Sequence, residues 1–171
     1  MKTVLLLRHA KSSHDDPDMA DFDRMLAPRG RKDAPRLGVW IRKQKAHPDL
    51  ILCSASRRTR ETYERLASEI GGDVPVLFER GLYLAGATTL LGRLRRLSDE
   101  IGSVLLIGHN PGLESLAASL VDEESSAEVQ RMRTKFPTSG LARLDFQQLH
   151  WKDIKPGSGR LMTFVTPADL R

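Results

Sequence analysis

The chain opens on an apolar run, residues 3–7, that ends directly on Arg8-His9, and a second run at 103–107 ends on Gly108-His109-Asn110-Pro111. Short, near-continuous apolar runs of this kind suit strands buried on both faces, which implies a parallel sheet covered by helices. The same reading places further strands at 50–53, 74–78, 141–146 and 161–165, with Pro75 sending the 74–78 strand to a sheet edge.

Between the strands the period changes to that of a helix. Residues 30–44 carry Leu37, Trp40, Ile41 and Gln44 on one face, and Pro35 fits that helix only within its first turn. Residues 57–70 carry Tyr63, Leu66, Ala67 and Ile70, and Gly71-Gly72 stops them. Residues 88–97 carry Leu90, Leu91, Leu94 and Leu97; another helix starts at Pro111, where a missing N–H costs nothing, and carries Leu113, Leu116, Ala117 and Leu120. The charged stretch 122–137 predicts a surface loop with some helix, and 155–159 a turn-rich connection. Alternating strands and helices predict the α/β class: a three-layer α/β/α sandwich with a mostly parallel central sheet, formed by one domain over 1–171.

In such sheets ligands bind at the carboxyl ends of the strands. His9 and His109 both stand there, a hundred positions apart in sequence, so they are expected to be neighbours in space. Arg8 beside them makes the site cationic and suited to phosphate. A third element points the same way. Leu52-Cys53 ends a strand, Ser54 or Ser56 is expected to cap the next helix, and Arg57-Arg58 open it. Cations are disfavoured at a helix amino terminus unless an anion sits there, so this conflict with local preference signals function.

Composition narrows the field. The length of 171 residues suits one domain, and 40% apolar with 29% charged residues is ordinary globular usage. No apolar run approaches the roughly 20 residues of a membrane span, and the opening run is too short for a signal-peptide core. The single Cys53 fits a reducing compartment, so a cytoplasmic location is expected. A net charge of +5 and a pI near 9.7 raise the question of nucleic acid. The basic residues are nonetheless dispersed among acids, aromatics are only 5%, and no stacking platform is present. Neither a nucleic-acid nor a membrane partner is expected.

Two rival chemistries fail on the text. A Cys-x5-Arg loop starting at Cys53 needs arginine where Thr59 stands. The cluster His14, Asp15, Asp16 and Asp18 lacks regular ligand spacing, so it reads as a solvated loop and no metal site is expected.

Taken together, these motifs resemble the histidine phosphatase superfamily, the phosphoglycerate mutase-like fold. Arg8-His9-Ala10 matches its Arg-His-Gly opening, with alanine for glycine; Ser54, Arg58 and Thr62 match its Ser-x-x-x-Arg-x-x-x-Thr element, which singles out Arg58 over Arg57; Gly108-His109 matches its late histidine motif. Within the superfamily the chain resembles the SixA-like phosphohistidine phosphatases. The run Arg8 to Ser13, Asp21-Phe22-Asp23-Arg24, Arg29-Gly30, Leu82-Tyr83-Leu84 and Gly108 to Gly112 carry that likeness over nearly the whole length.

The resemblance implies that His9 is a nucleophile forming a transient phosphohistidine, with Arg8, Arg58 and His109 binding the phosphoryl oxygens. No metal or other cofactor is implied, since the protein supplies the positive charge. Glu79, just after a strand, is a candidate proton donor; its alternative is a surface pair with Arg80. The expected substrate is a phosphohistidine-bearing protein. A phosphatase for small phosphate esters and a non-catalytic phosphate-binding module are the alternatives, and intact Arg8, His9, Arg58 and His109 count against the last.

Overall fold

A computed structural model of the protein describes residues 1–123 and 125–171. Its strands are β1 (Lys2–Arg8), β2 (Leu50–Ser54), β3 (Val76–Glu79), β4 (Ser103–Gly108), β5 (Leu141–Phe146) and β6 (Gly159–Val165). Its α-helices are α1 (Pro28–Lys43), α2 (Arg57–Ile70), α3 (Ala87–Arg95), α4 (Gly112–Leu120) and α5 (Ala127–Thr134).

The strands form one six-stranded sheet in the order β3-β2-β4-β1-β5-β6. Pairing is parallel from β3 through β1, β5 runs antiparallel to β1, and β6 antiparallel to β5. The sheet is thus mostly parallel with an antiparallel margin, and β3 stands at an edge as Pro75 implies.

The apolar runs of β1, β2 and β4 are buried on both faces, whereas Leu77 and Phe78 of the edge strand β3 are exposed, and the alternation of the buried runs divides the core. Val4 and Leu6 of β1, Leu50 and Leu52 of β2, and Val104 and Leu106 of β4 join one hydrophobic cluster with Leu90 and Leu94 of α3, Leu113 and Leu116 of α4, and Val129 and Met132 of α5. Their neighbours Leu5, Leu7, Ile51, Leu105 and Ile107 turn to the other face and pack with Leu37 and Ile41 of α1 and Leu66 and Ile70 of α2. A period of two on each strand therefore seats helices on both sides, which makes three layers. Each fully buried leucine removes enough surface from water to contribute about 1.5–3 kcal/mol.

Two details depart from the sequence reading. α1 begins at Pro28, so Pro35 is the eighth residue of the helix and not in its first turn. The helix continues past it without the bond that a residue-35 N–H would give the Arg31 carbonyl. Its buried stripe runs through Ala34, Leu37, Gly38 and Ile41, whereas Gln44 is an exposed C-cap and Trp40 is only partly covered. Pro28 at the first position of α1 opens the helix two residues before Gly30, which turns the buried stripe toward Ala34 and Gly38 and leaves Gln44 outside it.

α2 covers the expected residues and stops where Gly71 and Gly72 take φ of 82° and 74°, a region that suits glycine. Within the expected loop 122–137, α5 forms under a Ser126 cap whose side chain accepts the Val129 N–H; residue 124 lies outside the described residues.

Candidate active site

The strand order places β4 between β1 and β2, so three carboxyl ends lie side by side. The β1–β4 register pairs Arg8 with Gly108, which sets the next residues, His9 and His109, at one level. The His9 N–H donates to the Gly108 carbonyl at 3.1 Å. The two imidazoles are 5.3 Å apart between centroids and tilted by 53°. The expected proximity of the histidines is present, and its cause is register.

His9 is 6% exposed, and each of its ring nitrogens has a partner. Nδ1 lies 2.8 Å from the Ala10 carbonyl, an acceptor only, so Nδ1 carries the hydrogen. Nε2 is then bare and accepts the Arg58 Nε–H at 3.3 Å. Burial pushes the His9 pKa down to about 3; the Ala10 bond opposes this, and His109, Arg58 and Arg8 add to it. The ring is neutral, with a lone pair on a fixed nitrogen.

On the far side of β4, the Ser54 hydroxyl lies 2.8 Å from His109 Nε2. His109 Nδ1 is buried with no partner among the described residues. Burial, with Arg58 and Arg8 nearby, lowers the His109 pKa to about 3, against an opposing pull from Asp21. If Ser54 donates to Nε2, Nδ1 bears the hydrogen and is free to donate to an anion.

The helix α2 supplies the cation and braces the loop. Arg58 is buried at 3% exposure. One turn on, Thr62 accepts the Ala10 N–H at 3.0 Å and donates to the Arg58 carbonyl at 2.7 Å. Ser54, Arg58 and Thr62 thus each touch one of the two histidine segments, which explains their spacing of four. Arg57 points elsewhere, to Glu61 at 2.9 Å. Ser56 stands at the N-cap but makes no side-chain cap bond; its hydroxyl is 2.6 Å from that of Thr59, and the expectation of a serine cap fails because that hydroxyl is taken. Arg8 donates from Nη1 to the Phe136 carbonyl at 3.1 Å, and its Nε is buried without a partner among the described residues.

Glu79 does not pair with Arg80. Both its oxygens accept from Arg93, at 2.8 and 2.9 Å, and its carbonyl takes the Ala55 N–H at 3.2 Å, so it ties the end of β3 to α3 and to the start of the Arg58 segment. Arg80 lies over the Phe22 ring at 4.9 Å.

Two residues that sequence reasoning gave no role stand in the site. Asp21, on a short 3-10 turn (Asp21–Asp23), accepts from Arg58 Nη1 through its carbonyl at 2.7 Å and from Nη2 through its carboxylate at 3.1 Å. Tyr83 donates its hydroxyl to the same carboxylate and sets its ring edge-on to His109 at 5.4 Å. Both belong to segments that carried the family likeness, so a signal was present without an assigned chemistry.

The acidic loop at 14–18 does not gather ligands: Arg24 lies 2.7 and 3.0 Å from the two ring nitrogens of His14. Among the described residues no group of three or more His, Cys, Asp and Glu side chains is placed to hold a metal ion. No described helix is long and apolar enough to cross a membrane. Cys53 is buried in β2, and burial raises its thiol pKa.

Comparison with known proteins adds the relatives of this arrangement. A profile of the histidine phosphatase superfamily (branch 1) matches residues 4–83. An uncharacterized protein of Mycobacterium tuberculosis is 37% identical over 94% of this chain and 99% of its own. The crystal structure of the proposed phosphohistidine phosphatase SixA of Agrobacterium tumefaciens is similar with a TM-score of 0.82 and 31% identity, over 97% of this chain and 98% of that one. The protein histidine phosphatase SixA solved with tungstate shares the fold, with a TM-score of 0.80 and 22% identity over 99% of both chains.

Proposed function

Because this chain belongs to the histidine phosphatase superfamily, in its SixA-like branch, we propose that it is a metal-independent phosphatase whose His9 takes the phosphoryl group from phosphohistidine in a protein. The observation that carries the reading is the bare, buried Nε2 of His9, neutral and held against Arg58 at 3.3 Å. An imidazole attacks phosphorus only through an unprotonated nitrogen held in line, and the Ala10 carbonyl leaves Nε2 as that nitrogen.

In the first step the Nε2 lone pair forms the N–P bond while the bond from phosphorus to the leaving group breaks. Arg8, Arg58 and His109 stabilise charge on the phosphoryl oxygens, which fixed donors do without reorganising. Among the described residues, Arg8 Nε and His109 Nδ1 have no partner, which supports this role: a buried N–H without a partner is costly until an anion arrives, and Nδ1 bears one when Ser54 donates to Nε2. In the second step water attacks phosphorus, the N–P bond breaks, and His9 is restored. With that much positive charge from side chains, the transfer asks nothing of a metal.

A protein substrate is favoured by the solvent side of the site, where Asp21 is half exposed and Leu84, beside Tyr83, is 52% exposed. We read residues 1–171 as one catalytic domain, both core clusters lying on one sheet, that acts in the cytoplasm on a soluble partner. A phosphatase for small phosphate esters is the competing reading.

The test is turnover of a phosphohistidine peptide against p-nitrophenyl phosphate, together with acid-labile phosphoenzyme trapped by rapid quench. The proposal expects a trapped phosphoenzyme in the wild type, none in His9→Ala, and a higher kcat/KM for the peptide. Full activity in a folded His9→Ala protein would sink the nucleophile assignment; preference for the small ester would favour the competing reading.

A further inference from the structure

All three nitrogens of the Arg58 guanidinium are occupied: Nε by His9, Nη1 by the Asp21 carbonyl, and Nη2 by the Asp21 carboxylate. The free enzyme therefore holds an anion of its own at the cation meant for phosphate. One N–H remains on each Nη, so a phosphoryl oxygen reaches the guanidinium beside that carboxylate and competes with it for the positive charge.

Where the carboxylate stands gives that competition a purpose. His9 and Arg58 are buried, whereas the Asp21 side chain is 52% exposed, so it lies on the solvent side of the guanidinium. In-line attack by Nε2 puts the leaving atom on the face of phosphorus opposite His9. Arg58 stands between the two residues, its Nε on His9 and its Nη2 on the exposed Asp21 carboxylate, and Tyr83 holds that carboxylate with its ring edge-on to His109. From these contacts we propose that Asp21 is the proton donor to the leaving group, held on Arg58 in the free enzyme and released when the phosphoryl group arrives. This rests on the reading of His9 as nucleophile.

The groups facing the Asp21 carboxylate are the charged Arg58 and Arg24, the latter at 3.3 Å, and the neutral Tyr83 hydroxyl, with His109 nearby. In the free enzyme they keep it ionised: the Tyr83 bond lowers its pKa most, and the charges and hydrogen bond of the arginines lower it further, against partial burial. A phosphoryl dianion takes up Arg58 and adds negative charge beside the carboxylate. Both changes raise its proton affinity, so Asp21 takes a proton from solvent on substrate binding. As the N–P bond forms, the electron pair of the breaking bond goes to the leaving atom and the Asp21 proton joins it. In the hydrolytic step the carboxylate accepts the proton of the attacking water. Glu79 offers no equal path, because both its oxygens are on Arg93.

The experiment follows Asp21→Asn across aryl phosphates whose leaving phenols run from the acidic p-nitrophenol to phenol itself, with vanadate as inhibitor. Loss of kcat/KM, which reports the step that expels the phenol, should grow along the series, from under about threefold for p-nitrophenyl to about 10²-fold for phenyl phosphate, as loss of a general acid does. Vanadate should bind several-fold more tightly, because the internal competitor for Arg58 is gone. Tyr83→Phe should show the same leaving-group trend more weakly. A uniform loss of kcat/KM across the series, or weaker vanadate binding, overturns the proposal, since a merely structural Asp21 would give both. Trapping of acid-labile phosphoenzyme in Asp21→Asn separates the two failures: a phosphoenzyme with a flat series removes Asp21 alone, whereas none even in the wild type removes His9.

Discussion

Arg58 Nε donates to His9 Nε2 across 3.3 Å, joining the first turn of α2 to the residue just past β1. A guanidinium in that position has no acceptor to offer, so the bond requires a neutral imidazole with its lone pair on Nε2. One contact therefore fixes both the protonation and the direction of the ring, and it brings positive charge to the atom that phosphorus approaches.

Arg58→Ala should lower kcat by about 10²–10³-fold, the loss seen when one preorganised donor is removed from developing charge. Arg57→Ala should change it less than about threefold, since Arg57 only pairs with Glu61 on a part-exposed helix face. Steady-state kinetics with vanadate inhibition of both variants check this. Equal effects would mean that the spacing of Ser54, Arg58 and Thr62 is incidental.

The sheet and most helices were legible in the sequence because apolar periodicity reports burial directly: Leu113, Leu116, Ala117 and Leu120 were expected on one face and are all buried. His9, His109 and Arg58 were legible because each follows a strand end. Asp21 and Tyr83 were not, since neither period nor strand end marks them; 62 positions separate them and only the fold brings the hydroxyl to the carboxylate. The partner of Glu79 escaped for the same reason. Arg93 lies a helix away, and local reading offered only Arg80.

Acid should destabilise the protein through both site histidines. Their folded pKa values lie near 3 against an ordinary 6.5, so between those limits the unfolded chain binds the extra protons. Stability is then full above pH 6.5 and falls as the pH drops toward 3, by up to about 1.4 kcal/mol per pH unit for each histidine. Urea unfolding from pH 4 to 6.5 should show His9→Asn and His109→Asn each flattening the slope relative to the wild type. Parallel slopes would mean that the imidazoles are not held neutral.

Ser54→Ala should act on the anion and not on the fold. The hydroxyl lies 2.8 Å from His109 Nε2 and so directs Nδ1, which has no other partner among the described residues. Without it the ring is free to take the other tautomer and turn an acceptor toward phosphate. Vanadate or phosphate inhibition should weaken roughly tenfold, about 1.4 kcal/mol, with little change in Tm. Unchanged inhibition would show that His109 needs no such guide.

The last prediction concerns how α1 supports the nucleophile. A Cβ at Gly30 would lie 2.2 Å from the Lys11 carbonyl oxygen and 2.9 Å from its nitrogen, and the same carbonyl accepts the Ala27 N–H at 2.8 Å just before α1. Helix propensity alone favours alanine over glycine by about 1 kcal/mol. Here the obstacle is backbone, which does not swing aside as a flexible side chain does, so overpacking of about 1–3 kcal/mol or more should win. The displaced segment adjoins Ala10, whose carbonyl orients His9 and whose N–H is held by Thr62. Gly30→Ala should therefore lower both the urea midpoint and kcat. Gly92→Ala in α3 is the control: its Cβ would meet only Arg96 Nη1, at 3.6 Å, so it should raise stability slightly and leave kcat alone. If Gly30→Ala lowers the midpoint but spares kcat, the Lys11 contact supports the helix and not the nucleophile.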